Sequence, residues 1–174
     1  MKLSHIALVS LLGLRGLLLI GCNSGDDSAT ELRQIPLNGI AEVIDSVLVE
    51  YDAEHSADGV GSIRVETGEP IRVRLAEVGG IDIEDARLIY QASLRSSELQ
   101  GTAYLEMWCQ FAGKGEYFSR GLDNPVTGTS DWSIHQTPFF LKSGENPDSV
   151  KLNLVVEGAG TVWIDDIRLQ RARL

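Results

Sequence analysis

The stretch GTVWIDDIRL, residues 160–169, has the Val, Trp and Ile content of a β-strand but carries two adjacent carboxylates, Asp165 and Asp166. Asp is disfavoured inside strands, and a charged side chain that faces a core needs a partner. Neighbouring side chains on a strand point to opposite faces, so these two carboxylates cannot easily act on one bond. We therefore expect the pair to bind a metal or to mark a strand end, not to be catalytic.

Short apolar runs of the same kind continue back along the chain as far as Ile40. The clearest alternation lies in residues 61–68, 69–78 and 101–111, and many of the eighteen glycines fall between the runs. This spacing predicts about nine strands and no convincing amphipathic helix, with only GIAEVIDSV, residues 39–47, able to form a helical turn. We predict an all-β fold, an antiparallel β-sandwich or jelly roll.

Composition limits the classes of function. The chain has 174 residues, enough for one domain of ordinary size with short appendages. Its formal net charge is −10, and no cluster of Lys or Arg stands out against this acidic background. Such a surface repels phosphate backbones, so the sequence argues against nucleic-acid binding.

The first 22 residues have the organisation of a secretion signal. Lys2 precedes an apolar run over residues 6–20, which is too short and wrongly flanked for a stable membrane span. The ending LIGC resembles the lipobox of bacterial lipoproteins, although Arg15 interrupts the apolar run. The resemblance implies cleavage before Cys22 and acyl chains, such as palmitate, on its sulfur. The alternative is an ordinary signal followed by Cys22 by chance.

These observations divide the chain into three parts. We predict a lipoprotein signal peptide over residues 1–21, a lipidated Cys22 with a flexible polar tether over residues 22–40, and a domain over residues 41–174. The predicted location is the bacterial cell envelope, with the lipid anchor in a membrane. Asn23 after the cysteine favours the outer membrane if the bacterium is Gram-negative.

Three stretches carry a more specific resemblance. HSADGVGSIRVE (residues 55–66), LIYQASLRSSELQGTAYLEMW (88–108) and GAGTVWIDDIRL (158–169) follow one another in the chain. Together they resemble the jelly-roll carbohydrate-binding modules of families 4, 9 and 22, in the galactose-binding-like superfamily, over about residues 41–172. The resemblance implies a galactose-binding-domain-like jelly roll with a non-catalytic accessory role, and a glycan as ligand.

The resemblance also bears on the aspartate pair. In the resembled modules an Asp of the closing strand often helps to hold a structural Ca²⁺, which implies that Asp165 or Asp166 is a ligand here. Calcium takes six to eight oxygens, so Glu50 or Asp52 would have to lie nearby. The other interpretation is that the pair accepts hydrogen bonds from backbone donors where two chain ends meet.

The strand over residues 102–111 gives the best indication of a ligand site. Alternation puts one set of side chains toward the core: Ala103, Leu105, Met107, Cys109 and Phe111. The opposite face then carries Tyr104, Glu106, Trp108 and Gln110, and Asn153 with Lys151 extends it from a neighbouring strand. Sugar rings stack on aromatic rings, and polar groups bind hydroxyls, so this row predicts a glycan platform. Alternatively, the row packs under a loop.

No sequence motif indicates an enzyme. The chain contains no G-x-S-x-G elbow, no H-E-x-x-H and no P-loop, and His55 and His135 lie far apart. We predict a non-catalytic, lipid-anchored protein that binds a glycan or a similar polyhydroxylated ligand through a sandwich face. The alternative is a structural adaptor that uses the same fold to bind an envelope protein.

Overall fold

A computed structural model of the chain describes residues 29–174. It is 66% strand and 4% helix, and every paired strand runs antiparallel to its neighbour. The strands are β1 (Thr30–Ile35), β2 (Glu50–Asp52), β3 (Ser62–Thr67), β4 (Ile71–Gly79), β5 (Ala86–Phe111), β6 (Gly115–Arg120), β7 (Val126–Leu141) and β8 (Ser149–Ala172). Among these residues, no helix has the length and hydrophobicity to cross a membrane.

The strands form two layers that share β5 and β8. In the layer that we call sheet A, the first part of β5 and the second part of β8 pair with each other and with β1, β3 and β7, while β2 pairs with β3. In sheet B, the second part of β5 and the first part of β8 pair with each other and with β4 and β6. This arrangement confirms the predicted all-β sandwich.

Glycines lie where the two long strands pass each other between the sheets. A Cβ at Gly101 would lie 1.9 Å from the backbone oxygen of Glu157, and one at Gly158 would lie 1.8 Å from that of Gln100. Both glycines also have positive φ, 130° and 147°, which L side chains rarely adopt. The sequence predicts a turn at each place and therefore two strands; the structure instead has single long strands that continue through the bend.

The predicted tether is wrong for part of its length. Residues 30–35 form β1, which pairs with the last part of β8 in sheet A, with Ile35 opposite Ile167. Side chains hold it there: Arg168 Nη1 lies 3.1 Å from Glu31 Oε2. The domain therefore begins before residue 41. The sequence did not indicate this strand, because it lies at a sheet edge and most of its residues are polar.

The signal and lipidation predictions, Cys22 included, fall on residues 1–28 and lie outside the described residues.

One hydrophobic core lies between the sheets, and the alternation predicted for residues 102–111 supplies part of it. All five side chains expected to face inward are buried: Ala103, Leu105, Met107, Cys109 and Phe111. Two short 3-10 turns, Ile40–Glu42 and Ser46–Leu48, lie where the sequence allowed a helical turn over residues 39–47, and the second extends one residue beyond that range. Because one face of sheet B packs on this core, the opposite, outer face is the one that can make other contacts.

Candidate functional site

Four strands contribute side chains to the outer face of sheet B. Their register brings the side chains together, because residues directly opposite each other on antiparallel strands share a face. Glu106 on β5 lies opposite Asn153 on β8 and Arg120 on β6, and Trp108 lies opposite Lys151 and Phe118. On β4, Arg74 lies opposite Asn153. The predicted row on β5 is thus the centre of a wider polar and aromatic surface.

An open cleft of about 420 Å³ lies on this surface, which we call the sheet B cleft. Its lining residues are Asp45, Arg72, Arg74, Trp108, Glu116, Lys151 and Asn153. Two of the five predicted ligand residues, Trp108 and Asn153, therefore line it. Gln110 lies on the same face at the end of the row, where its side-chain amide donates to the Phe111 carbonyl oxygen at 3.3 Å.

Glu106 lies beneath the cleft and is completely buried. Its Oε1 lies 2.7 Å from Arg72 Nε, and its Oε2 accepts a hydrogen bond from Arg120 Nε, also at 2.7 Å. Asn153 Nδ2 donates to Oε1 at 3.1 Å, and the Trp108 indole makes a further hydrogen bond. Both carboxylate oxygens are therefore engaged by donors from β4, β5, β6 and β8.

This network holds Glu106 in its charged form. Burial alone would raise the pKa of Glu106, but the hydrogen bonds from Trp108, Arg120 and Asn153, with the positive charge of Arg72, outweigh it and lower that pKa. The prediction that Glu106 binds sugar hydroxyls therefore needs correction. Its carboxylate has no free surface, and it instead orients the groups that surround the cleft.

Tyr104 also differs from its prediction as a stacking ring. Its side chain is on the predicted face, but only 3% of the residue is exposed. The hydroxyl donates to Glu157 Oε1 at 2.8 Å. Burial, together with the hydrogen bond and negative charge of Glu157, raises the pKa of Tyr104 to about 12. The ring thus packs as part of the domain and offers no open face to a ligand.

Trp108 keeps part of its surface open to the cleft. Its ring packs against Phe118 with a centroid distance of 4.9 Å and an interplanar angle of 41°. Phe118 is 51% exposed, and the Arg120 guanidinium carbon lies 4.7 Å from its ring centroid. The accessible aromatic surface of this face is therefore Trp108 with Phe118, rather than Trp108 with Tyr104.

The aspartate pair at the other end of β8 has a different environment. Asp165 is completely buried, and its Oδ2 accepts a hydrogen bond from the Ala57 backbone N–H at 2.8 Å. Its Oδ1 accepts one from the Asp166 N–H, also at 2.8 Å. Burial raises the pKa of Asp165 more than these backbone donors lower it, and the charge of Asp58 adds to the rise. The carboxylate closes the loop before β3, as the backbone-bonded interpretation predicts.

The residues around this pair do not fit a calcium site. Calcium needs several oxygen ligands, whereas the nearest partners of Asp165 are N–H donors. Asp166 is bonded to Arg168 Nε at 2.8 Å and to Gln34 Nε2 at 2.7 Å. Over residues 29–174, no group of three or more His, Cys, Asp or Glu side chains could hold a metal ion.

The two acidic residues suggested as further calcium ligands have other partners too. Glu50 Oε2 accepts a hydrogen bond from Arg64 Nη1 at 2.8 Å. Asp52 accepts one from the Trp163 indole N–H, likewise at 2.8 Å. Both carboxylates thus hold neighbouring side chains in place on sheet A.

The structure adds residues that the sequence reading did not assign to the site. Arg72 and Arg74 come from β4, and Phe118 comes from β6. The signal on β4 was the alternation of Ile71, Val73 and Leu75 with two arginines, which predicts that both arginines face outward. Which strand lies beside β5 cannot be read from that alternation, so these two arginines were not assigned to the site.

Comparison with known proteins establishes what the fold is. A solved structure described as Family 16 Carbohydrate Binding Module-2 is 13% identical, with a TM-score of 0.50 over 70% of this chain and 84% of that chain. The CBM22-1 xylan-binding domain of Xyn10C from Paenibacillus barcinonensis is 11% identical, with a TM-score of 0.56 over 85% and 98%. This chain has the jelly-roll fold of carbohydrate-binding modules.

A third similar structure contains a carbohydrate-binding module as part of a larger chain. The CBM22-1–GH10 modules of the Clostridium thermocellum xylanase 10B, solved with xylohexaose, are 12% identical with a TM-score of 0.56. The match covers 83% of this chain and 29% of that one. No family model matches this chain, and no curated protein matches its sequence. At these identities the likeness concerns the fold.

Proposed function

We propose that this protein binds a glycan without catalysis, in the sheet B cleft. The observation that carries the proposal is the partly open Trp108, packed on Phe118 beside a cleft lined by hydrogen-bonding side chains. Pyranose rings stack their C–H faces on such aromatic surfaces. Arg72 and Lys151 supply donors for hydroxyl oxygens, and Asn153 supplies an acceptor. The structural likeness to a xylan-binding domain supports this assignment.

The carboxylates near the cleft favour binding over hydrolysis. A glycosidase needs one carboxyl that can donate a proton and a second one opposite it. Glu106 has a lowered pKa and is completely buried, which makes it a poor acid. Glu116 is ion-paired with Lys151, and Asp45 Oδ2 accepts a hydrogen bond from the Arg74 backbone N–H at 2.7 Å. We therefore propose a binding protein rather than an enzyme.

The proposed place of action is the bacterial envelope, with the domain held to a membrane through lipid on Cys22. The support is the apolar segment and the LIGC ending, residues 19–22. Substitution Cys22→Ser should shift the protein from the membrane fraction to the soluble fraction after cell lysis. Retention of Cys22→Ser in membranes would contradict the lipid anchor.

Glycan binding is tested with the full chain in an uncharged, sugar-free detergent, so that the detergent cannot compete. Affinity electrophoresis through gels that contain neutral or acidic plant and bacterial polysaccharides should reveal at least one that retards the protein. Trp108→Ala should weaken that binding by about tenfold or more, because it removes the stacking surface. Trp132→Ala is the matched control, since Trp132 is also half-buried but lies on β7, outside the cleft. Equal loss in both variants would contradict the assignment.

The adaptor function is favoured by a different surface. Phe111, Phe139 and the exposed Tyr117 and Phe140 line a smaller cavity of about 260 Å³ near the end of β7. Exposed aromatic surface of this kind is enriched at protein interfaces. An adaptor becomes the better assignment if the protein is retarded by none of the polysaccharides and Trp108→Ala changes nothing.

A further inference from the structure

The lining of the sheet B cleft is more basic than the chain as a whole. Three of its seven residues are basic and two are acidic, although acidic residues outnumber basic ones by 25 to 15 in the sequence. Lys151 is paired with Glu116, and Arg72 is bonded to the buried Glu106. The charges of these two basic residues are therefore partly neutralised within the protein.

Arg74 is different. Its nearest recorded ion-pair partner is Glu77, at 4.0 Å, and 43% of its side chain is exposed. The Asp45 carboxylate, which also lines the cleft, is bonded to the Arg74 backbone N–H rather than to the guanidinium. An exposed pair at that separation contributes little, so the planar guanidinium remains available to an anion.

Asn153 provides the second observation. Only 4% of the residue is exposed, and its Nδ2 donates to Glu106 Oε1, which fixes the amide orientation. Its Oδ1 is buried and accepts no hydrogen bond within the described residues. A buried acceptor without a donor costs free energy, so a donor from outside the chain that reached this oxygen would stabilise it. Asn153 lies directly opposite Arg74 in the sheet, so the two side chains project from the same face.

We infer that the sheet B cleft selects glycans that carry carboxylates, that is, polysaccharides containing uronic acids. The inference rests on the proposed glycan-binding function and names its ligand class. A uronate presents a carboxylate and ring hydroxyls on one small ring. The carboxylate forms a bidentate ion pair with the Arg74 guanidinium, and a hydroxyl donates to Asn153 Oδ1. The ring face stacks on Trp108, as it would for a neutral sugar.

The experiment compares polymers that differ only in their carboxylates. Polygalacturonate, alginate and glucuronoxylan are each paired with their carboxyl-reduced product, which keeps the linkages and the ring configuration. Affinity electrophoresis and calorimetry use the full chain in the same uncharged, sugar-free detergent. At low salt we expect the best acidic polymer to bind about tenfold more tightly than its reduced form, the gain of one charge-assisted pair. The difference should shrink as sodium chloride is added.

Arg74→Gln tests the residue. It should reduce the preference to about threefold or less, because it weakens binding of the acidic polymer more than binding of the reduced one, whereas Arg74→Lys should keep part of the preference. Arg171→Gln is the matched control, because it makes the same charge change at an exposed position of sheet A. Far-UV circular dichroism of each variant checks that the fold is intact, and a folded Arg74→Gln with an undiminished preference would overturn the role of Arg74.

The other outcomes are equally distinct. If the acidic and reduced polymers bind equally, or the reduced forms bind more tightly, the carboxylate inference is wrong and the proposed glycan function stands. If neither member of any pair binds and the neutral polysaccharides fail too, the proposed function is wrong together with the inference. A preference that Arg171→Gln removes as fully as Arg74→Gln would show a general charge effect and also overturn the inference.

Discussion

Two carboxylates in this sandwich, Glu106 on β5 and Asp165 on β8, are equally buried, with no exposed surface, but have opposite surroundings. Glu106 is held by side chains from four strands, two of them guanidinium groups. Asp165 is held mainly by backbone N–H groups of a loop and of its own neighbour. The side chains that bind Glu106 are held in fixed positions on the surface above it. The backbone groups that bind Asp165 only fix the path of the chain. The comparison therefore separates a residue that builds a site from one that builds the fold.

The pKa shifts of the two groups follow from this difference. Burial raises both pKa values. Only Glu106 has enough neighbouring positive charge and side-chain donors to lower its pKa overall. In the folded protein Glu106 is stabilised as the anion, while Asp165 is closer to its neutral form than an exposed aspartate would be. The same degree of burial thus has opposite electrostatic consequences.

The largest expected effect comes from Glu106→Gln. The substitution leaves Arg72 and Arg120 without their shared counterion and points an amide N–H₂ at groups that are themselves donors. Because both arginines are partly exposed and can be hydrated, the full cost of a broken buried pair does not apply. We expect the free energy of unfolding to fall by about 2–3 kcal/mol, measured by urea denaturation at neutral pH. A loss below about 0.5 kcal/mol would show that the network contributes little.

Asp165→Asn is the matched change and should cost less. It also places an N–H₂ group against a backbone donor, but it removes a charge that burial disfavours. We expect a loss of about 1 kcal/mol in the same denaturation experiment. The two substitutions should also differ in binding: Glu106→Gln weakens glycan binding through Arg72 and Asn153, whereas Asp165→Asn leaves it unchanged. If both substitutions weaken glycan binding equally, the conclusion that only Glu106 supports the cleft is wrong.

The smallest expected effect is the change in protein stability with pH, which has opposite directions for the two carboxylates. The pKa of Glu106 is lowered, so its stabilising contribution is present above the usual value of 4.5 and is lost as the pH falls from there through the folded pKa. The pKa of Asp165 is raised above the usual 3.8, so its contribution is complete below 3.8 and is lost as the pH rises through the folded pKa.

Acidification should therefore move the two variants in opposite directions. Between about pH 6 and pH 3.5, the stability gap between wild type and Glu106→Gln should narrow, while that between wild type and Asp165→Asn should widen. Urea denaturation of the three proteins over this range measures both gaps in one buffer series. Gaps that change in the same direction would mean that one of the two assignments of charge is wrong.

Most of the fold could be predicted from the sequence because strict alternation over residues 102–111 allows only one inward face. The number of strands could not, since Gly101, Gly158 and Gly160 look like turns when they are in fact places where long strands pass closely. The edge strand β1 was missed for a related reason. Its polar residues pair along β8 and carry almost no apolar periodicity.

The site was predicted in position but not in detail. Alternation placed the side chains of β5 on the right face, and Trp108 and Asn153 line the cleft, while their contact with a ligand stays a prediction. Whether Tyr104 and Glu106 are exposed depends on Glu157, Arg72 and Arg120, which neighbouring strands bring in. A single sequence does not contain that cross-strand register. Arg72 and Arg74 were not assigned to the cleft for the same reason.

The passage of β5 and β8 through both layers has a consequence for recognition. Glu106, Trp108 and Asn153 all lie on these two strands, which are anchored at both ends by pairing in different sheets. A ligand of this face would therefore meet a preorganised surface, because the conformational entropy of these groups is lost when the chain folds and not when the complex forms. Selectivity in such a receptor would come from rigid fit, since no moving loop adjusts these side chains to a wrongly shaped ligand.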